Sequence, residues 1–397
     1  MRFRLRSFPA RGALSSAVAA LVLTASRAAS AAPCADLPVP IIYGLGGSAT
    51  KPLLSKIAGG LTSAGTLSVV YQAPGACLGI NGLLADTKIT GTASFWDATG
   101  KEQSCTLPDA GQPVDFANMG NTAVSCPGVG ALRNDVGDFL GPVNAYTFVV
   151  PLASSQLVIS REAAYFAFGF GQIGKAQPWI DDTQIFRRDA SSAAQLFISI
   201  ATGVPAEKFK GVDTKTNQGT ITAVAQSSKP EAAIGLVSGE VADANRASVR
   251  VLAYQHAGQR CGYLPDSTAT AFDKRNVRDG TYHLWAPIHF FAKIDPNTKK
   301  ASNPNVAKFV GLFTGEVAPP PNLNVIEAEI KSANVPKCAM NVWRESDLGP
   351  LSRYTAPEPC ACYFDQVATG ATTCSTCSES KACDGGKTCR RGFCEAR

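Results

Sequence analysis

Pro40-Ile41-Ile42-Tyr43-Gly44-Leu45-Gly46-Gly47-Ser48-Ala49-Thr50-Lys51-Pro52-Leu53-Leu54 reads as a buried strand, a glycine-rich turn and the opening of a helix. Pro40 to Tyr43 is the strand. Thr50 opens the helix, because Leu53, Leu54, Ile57, Ala58 and Leu61 recur at helical spacing. A helix start carries unpaired N–H donors and the positive end of a dipole. Three further segments repeat the device in chain order: Tyr71-Gln72-Ala73-Pro74-Gly75-Ala76-Cys77, Val114-Asp115-Phe116-Ala117-Asn118 and Phe186-Arg187-Arg188-Asp189-Ala190-Ser191-Ser192. Each puts small or hydroxyl residues where an apolar run stops, and three of the four segments are set to open a helix. Several such starts meeting at one point would hold an oxyanion, phosphate first.

The rest of the chain alternates in the same way. Leu67 to Tyr71 is a second strand, and Leu78 to Leu84 a second helix after Pro74-Gly75. Thr92 to Trp96 and Gln103 to Leu107 flank Asp97-Ala98-Thr99-Gly100 as a hairpin, and Val114 to Phe116 is a short strand. Val143 to Leu152, Ala232 to Ser238, Val249 to Tyr254 and Tyr282 to Ile294 read as extended. Helices are expected over Ser160 to Phe168, Ala190 to Ala201, Thr220 to Ser227, Asn303 to Phe313 and Leu323 to Ala333. This order predicts an α/β fold with mostly parallel sheets. No internal repeat is visible.

Residues 1–31 carry Arg2, Arg4, Arg6, Arg11 and Arg27, no acid, and an apolar stretch from Ala13 to Thr24. Followed by Ala28, Ala29, Ser30, Ala31 and Ala32, they read as a secretory signal cut near Ala31, too short in its apolar part to span a bilayer. Removing its five arginines from 37 basic residues leaves 32 against 31 acids, a net charge of +1. Nothing in that balance points to nucleic acid or an anionic membrane. The roughly 365 residues that remain exceed one compact core and predict two lobes. Thirteen cysteines fit an exported, oxidised protein, and seven of them, Cys360, Cys362, Cys374, Cys377, Cys383, Cys389 and Cys394, crowd the last 38 residues. Seven is odd, so one pairs outside the tail, with Cys338 the near candidate.

The four opening segments have a family counterpart. Ser48-Ala49-Thr50 ahead of Pro52-Leu53 resembles the G-S-S/T-T…P-L opening of phosphate-type substrate-binding proteins of ABC transporters. Tyr71-Gln72 with Gly75-Ala76-Cys77-Leu78-Gly79-Ile80 is similar to that family's Y-x…G-S-G-x-G-I, and Val114-Asp115-Phe116 to its D-F/I-G-A/G-S loop. Ile159-Ser160-Arg161-Glu162, Phe168-Gly169 and Trp179 resemble its I-S…I-F-x-G…W stretch. Arg187 with Ser191-Ser192 resembles R-x-x-x-S-G-T, and Ala233-Ile234-Gly235-Leu236-Val237-Ser238 resembles A-I-G-Y-V-S. The resemblance spans residues 38–335. It implies a type-2 periplasmic-binding fold, a two-lobed clamp. Lobe 1 would be residues 32–145 with 256–335, lobe 2 residues 146–255, followed by a linker over 336–359 and a disulfide-rich tail over 360–397. It also implies anion contacts from Ser48, Ala49, Thr50, Gly75, Ala76, the loop after Asp115 with Asn118, and Arg187, Ser191 and Ser192.

Several positions depart from the family pattern. G-S-G becomes Gly75-Ala76-Cys77 and S-G-T becomes Ser191-Ser192-Ala193, each losing a hydroxyl. Asn118-Met119-Gly120 stands where the family brings a carboxylate to a protonated phosphate. Each hydrogen bond lost to a charged group is worth roughly 1.5–3 kcal/mol, so phosphate specificity fades while the cleft survives.

Other constellations have duller readings. Cys374-x-x-Cys377 and its neighbours could bind zinc, but disulfides fit an oxidising compartment better. Cys77 reads as structural rather than nucleophilic, and His283 and His289 lack an acid cluster for a metal. Ser155, Ser191 and Ser192 have no nucleophile elbow, and Asp181-Asp182 no calcium-loop spacing. The expectation is therefore an exported, monomeric, non-catalytic binding protein without cofactor or metal, holding a small phosphate-like anion. Its partner would be an ABC transporter permease, or a cell-surface partner reached through the tail. The alternative is a surface or matrix interaction protein that kept the lobes and lost anion binding.

Overall fold

The computed structural model describes residues 32–38 and 40–396; the expected signal and its cleavage site lie outside them. The decisive stretch folds as strand β1 (Ile41–Gly46), a 3-10 turn over Ser48–Thr50 and helix α1 (Lys51–Ser63). Leu53, Leu54, Ile57, Ala58 and Leu61 are buried along one side of α1, as their spacing requires. Strand β2 (Ser68–Gln72), helix α2 (Ala76–Leu84), a hairpin of β3 (Thr92–Trp96) and β4 (Glu102–Thr106), and β5 (Phe116–Met119) follow. The long β6 (Val136–Pro151) leads to α3 (Arg161–Phe170), β7 (Ile185–Arg187), α4 (Ala193–Thr202), β8 (Val212–Asp213), α5 (Asn217–Ala225), β9 (Ile234–Ser238), α6 (Gly239–Ala244) and β10 (Val249–Val251). The chain returns through β11 (Trp285–Lys293) to α7 (Pro304–Thr314) and α8 (Val325–Lys331).

One sheet runs through the molecule in the order β8-β7-β9-β6-β11-β5-β1-β2-β3-β4, with β10 also on β6. Its parallel parts are two triplets, β2-β1-β5 and β8-β7-β9. The other pairings in this sheet are antiparallel, fewer parallel contacts than the alternation predicts, because the two long strands β6 and β11 join the triplets and the β3–β4 hairpin extends the edge beyond β2. Residues 136–145 of β6 pair with β11, and residues 146–151 pair with β9 and β10. The fold is a two-lobed α/β clamp whose halves share this strand. Ile42, Leu53, Ile57, Tyr71, Phe116 and Phe309 fill one core; Tyr146, Phe148, Phe168, Phe197 and Leu236 fill the other. Among the described residues no helix is long and apolar enough to cross a membrane.

The segment 336–359, expected as a linker, packs instead of hanging free. Met340 and Trp343 are buried in the second core, and the Lys337 ammonium lies 4.4 Å from the Trp343 ring centre. Asp347 reaches the other half, accepting hydrogen bonds from Thr122 N (2.9 Å) and Thr122 Oγ1 (2.7 Å). The tail is also more than its cysteines. Helix α9 (Ala361–Thr369) buries Phe364, and Arg278 bonds Asp365 at 2.5 Å while its guanidinium lies over the Phe364 ring. The buried Glu395 carboxylate accepts from the backbone N–H groups of Cys362 and Tyr363 at the start of α9, a favourable place for negative charge.

Six disulfides join Cys34–Cys105, Cys77–Cys126, Cys338–Cys360, Cys362–Cys374, Cys377–Cys389 and Cys383–Cys394. The odd tail cysteine does pair with Cys338. Cys261 is free and exposed. The tail sulfurs that come together, Cys377, Cys383 and Cys394, are all disulfide-bonded and therefore not zinc ligands. His283 stacks on His256 with ring centres 4.3 Å apart, whereas His289 bonds Asp138.

Candidate functional site

Ligands of open α/β sheets sit beyond the carboxyl ends of the strands. Here the turns after β1, β2, β7, β8 and β9 open on one cavity of about 100 Å³. The first half contributes Ser48, Ala49, Gly75 and Ala76 to its wall. The second contributes Arg188, Asp189, Ser192, Lys215, Thr216, Asn217 and Ser238, with Tyr146 from the shared strand. Three helices start at this wall: α2 after Gly75, α4 after Ser192 and α5 after Thr216. Ser192 caps α4 by accepting from Gln195 N, and Thr216 caps α5 by accepting from Gly219 N. Gly75 has φ +148°, a backbone state L side chains rarely adopt. Gly79 lets α2 lie against β1: a Cβ there would fall 2.6 Å from the Leu45 carbonyl oxygen.

Arg188 is the buried cation of the wall, only 6% exposed. Its Nη1 donates to Asn217 Oδ1 (2.7 Å) and its Nη2 to the Lys215 carbonyl (3.0 Å), while its Nε is buried without a hydrogen-bond partner among the described residues. Burial pulls this guanidinium below its ordinary pKa, and Asp189, Asp213 and Glu240 act against that pull. One carboxylate stands at the cavity as well. Asp189 accepts from Ser191 N (2.9 Å) and Ser191 Oγ, with its other oxygen 3.9 Å from Arg188 Nη2.

The structure brings together Ser48, Ala49, Gly75, Ala76 and Ser192, and leaves four expected residues off the wall. Thr50 and Asn118 lie behind it: Asn118 Nδ2 donates to Thr50 Oγ1 and Tyr71 OH donates to Asn118 Oδ1, so Asn118 braces the Ser48 turn. Ser191 is turned toward Asp189, and its carbonyl accepts from Cys77 N at 3.2 Å. Arg187 donates to the Arg188 carbonyl and does not line the cavity. The R-x-x-x-S spacing fits Arg187/Ser191 and Arg188/Ser192 equally in sequence. The fold puts the second pair on the wall, because β7 ends at Arg187 and Ser192 is the cap of α4. Sequence reasoning also missed Lys215, Thr216, Asn217 and Ser238. The detectable signal was Thr216, a cap residue directly before a helix.

No family model matches the chain, and no curated protein matches it by sequence. Among solved structures it is similar to an ABC-type phosphate transport receptor from Vibrio cholerae, at 14% identity and a TM-score of 0.47, over 74% of this chain and 99% of that one. PstS from Borrelia burgdorferi gives 11% identity and a TM-score of 0.40, over 75% and 98%. The reduced OxyR regulatory domain from Pseudomonas aeruginosa gives 9% and 0.38, over 70% and 98%. Binding receptors and a regulator share the likeness. At such scores none of them bears on what this cavity holds.

Proposed function

We propose that this chain is an exported, non-catalytic binding protein that holds a small oxyanion such as phosphate in the cavity between its lobes. The observation that carries this reading is the meeting of three helix starts, α2, α4 and α5, with the buried Arg188 guanidinium at one point. Helix starts supply N–H donors and positive potential, and Arg188 supplies a planar fork that suits an oxyanion. Binding proceeds by closure of the two lobes, with the closed form favoured by its extra contacts to the ligand. Six disulfides fit an oxidising, exported setting, and delivery to a transporter permease is the matching physiological role. Titration calorimetry with phosphate and with sulfate tests it: saturable heat that Arg188→Ala removes is expected. Absence of heat from both anions would overturn the reading.

A second reading, an interaction scaffold that has lost its ligand, is favoured by two observations. The Asp189 carboxylate faces the cavity, and the Cys77 N–H is already engaged by Ser191. The same calorimetry separates the two. Removing residues 356–397 would not, because Cys360 and Phe364 belong to the second core and their loss tests stability.

A further inference from the structure

Behind the cavity wall runs an unbroken chain of side-chain hydrogen bonds. Arg188 Nη1 donates to Asn217 Oδ1 (2.7 Å), Asn217 Nδ2 donates to Ser238 Oγ (2.8 Å), and Ser238 Oγ donates to Glu240 Oε1. Every member is at least nine-tenths buried, and Glu240 Oε2 is buried without a hydrogen-bond partner among the described residues. Ser238 ends β9 and Glu240 lies in the first turn of α6, so the strand-to-helix turn fixes the last link. Arg188, Asn217 and Ser238 touch the cavity, and Glu240 does not.

We propose that Glu240 is a positioning residue for the anion cavity: it orients Arg188 through Ser238 and Asn217, and losing its proton loosens the hold on an anion. This rests on the oxyanion reading above. A carboxylate formed here adds buried negative charge to the network that aims Arg188, opposing an anion on the other side of the guanidinium. Burial places the Glu240 carboxyl at about 7, so the change falls near neutrality.

The groups around Glu240 leave it as the unneutralised one. Asn144 and Tyr146 face it from β6 and Arg188 from the turn after β7. Asp243, on its own helix, is paired with Lys274 at 2.5 Å and Arg246 at 2.5 Å. On the side away from Arg188, Glu240 lines a second cavity of about 340 Å³ together with Lys274 and Lys331, where Lys274 is paired with Asp243 and Lys331 is held by Glu327. The network has the geometry of a relay in which one proton at Glu240 is felt at Arg188.

The test is calorimetric titration of the wild-type chain and Glu240→Gln with inorganic phosphate at pH 5.5, 7 and 8.5. Sulfate serves as the anion that does not titrate over this range. Wild-type affinity is expected to fall about tenfold more than that of Glu240→Gln between pH 5.5 and 8.5, equivalent to one unit of linked pKa shift. The ligand's own ionisation is common to both proteins and cancels in the ratio. With sulfate at pH 7, in buffers of different ionisation enthalpy, wild type should take up a fraction of a proton on binding and Glu240→Gln none. Equal pH profiles and equal proton uptake in the two proteins would overturn the role of Glu240 while leaving anion binding intact. Absence of binding by either protein at every pH would overturn both readings together.

Discussion

The backbone N–H of Cys77, in the first turn of α2, donates to the carbonyl of Ser191, in the loop that enters α4, at 3.2 Å. This bond joins the two halves beside the candidate anion cavity. Both sides of it are held: Cys77 is tied to Cys126, and Ser191 is tied through its N–H and hydroxyl to Asp189. Opening of the cleft has to break it, so the contact favours the closed form before any ligand arrives.

Gly75 should be the most sensitive position along that seam. A Cβ there would lie 3.0 Å from Ser191 Oγ and would also meet a φ of +148°. Gly75→Ala is expected to shift the chain toward the open form and weaken phosphate binding about tenfold, by a backbone strain of roughly 1–3 kcal/mol. Small-angle scattering for shape and calorimetry for affinity would show it; unchanged values in both would refute the seam.

The two adjacent arginines should separate cleanly. Arg188→Ala removes the guanidinium at the wall and is expected to cost at least 1.5–3 kcal/mol, roughly 10- to 100-fold in phosphate affinity. Arg187→Ala, whose side chain donates to the Arg188 carbonyl and lies off the cavity wall, should stay within a few fold of wild type. Circular dichroism on both variants checks that the fold is kept.

The Asp347 contact predicts a local effect on the opposite half. Its carboxylate is the acceptor for both the N–H and the hydroxyl of Thr122. Asp347→Ala should speed hydrogen exchange around Thr122 by about 10-fold or more, the scale of a lost hydrogen bond to a charged group. Asp347→Asn, which keeps an acceptor oxygen, should restore part of the protection.

Glu329 predicts a pH dependence of stability. It is buried, its side-chain carboxyl makes no hydrogen bond among the described residues, and burial raises that carboxyl from 4.5 to about 8 despite Arg391 nearby. Between those values the folded chain keeps a proton that the unfolded chain releases, so its contribution to stability falls as pH rises from about 4.5 to about 8 and is level above. Glu329→Gln should be more stable than wild type at pH 8.5 by several kcal/mol and by almost nothing at pH 4 in urea unfolding.

Much of this fold was legible because the core has simple periods. Leu53, Leu54, Ile57 and Leu61 mark α1, and continuous apolar runs mark β1, β2 and β9, since these strands are covered on both faces. The strap over 336–359 was not legible, because its prolines and polar residues outweigh the two side chains that anchor it, Met340 and Trp343. At the site, three of the four quoted segments bring residues to the cavity wall. The Val114–Asn118 segment does not, because strand β5 points Asn118 back into lobe 1 to brace Thr50. Arg188 escaped because two overlapping R-x-x-x-S registers cannot be ranked without knowing where β7 ends. Asn217 and Ser238 reach the wall only through the pairing of β7 with β8 and β9, a long-range fact with no local signature.

Because β6 ladders with β11 up to Ala145 and with β9 from Tyr146 onward, neither half owns that strand. Severing the backbone near this junction to obtain two autonomous modules would strip one of them of an edge and leave a row of bare amides looking for a new neighbour. Such fragments should clump or re-associate rather than fold as separate units, so this protein can be rearranged by circular permutation far more safely than by bisection.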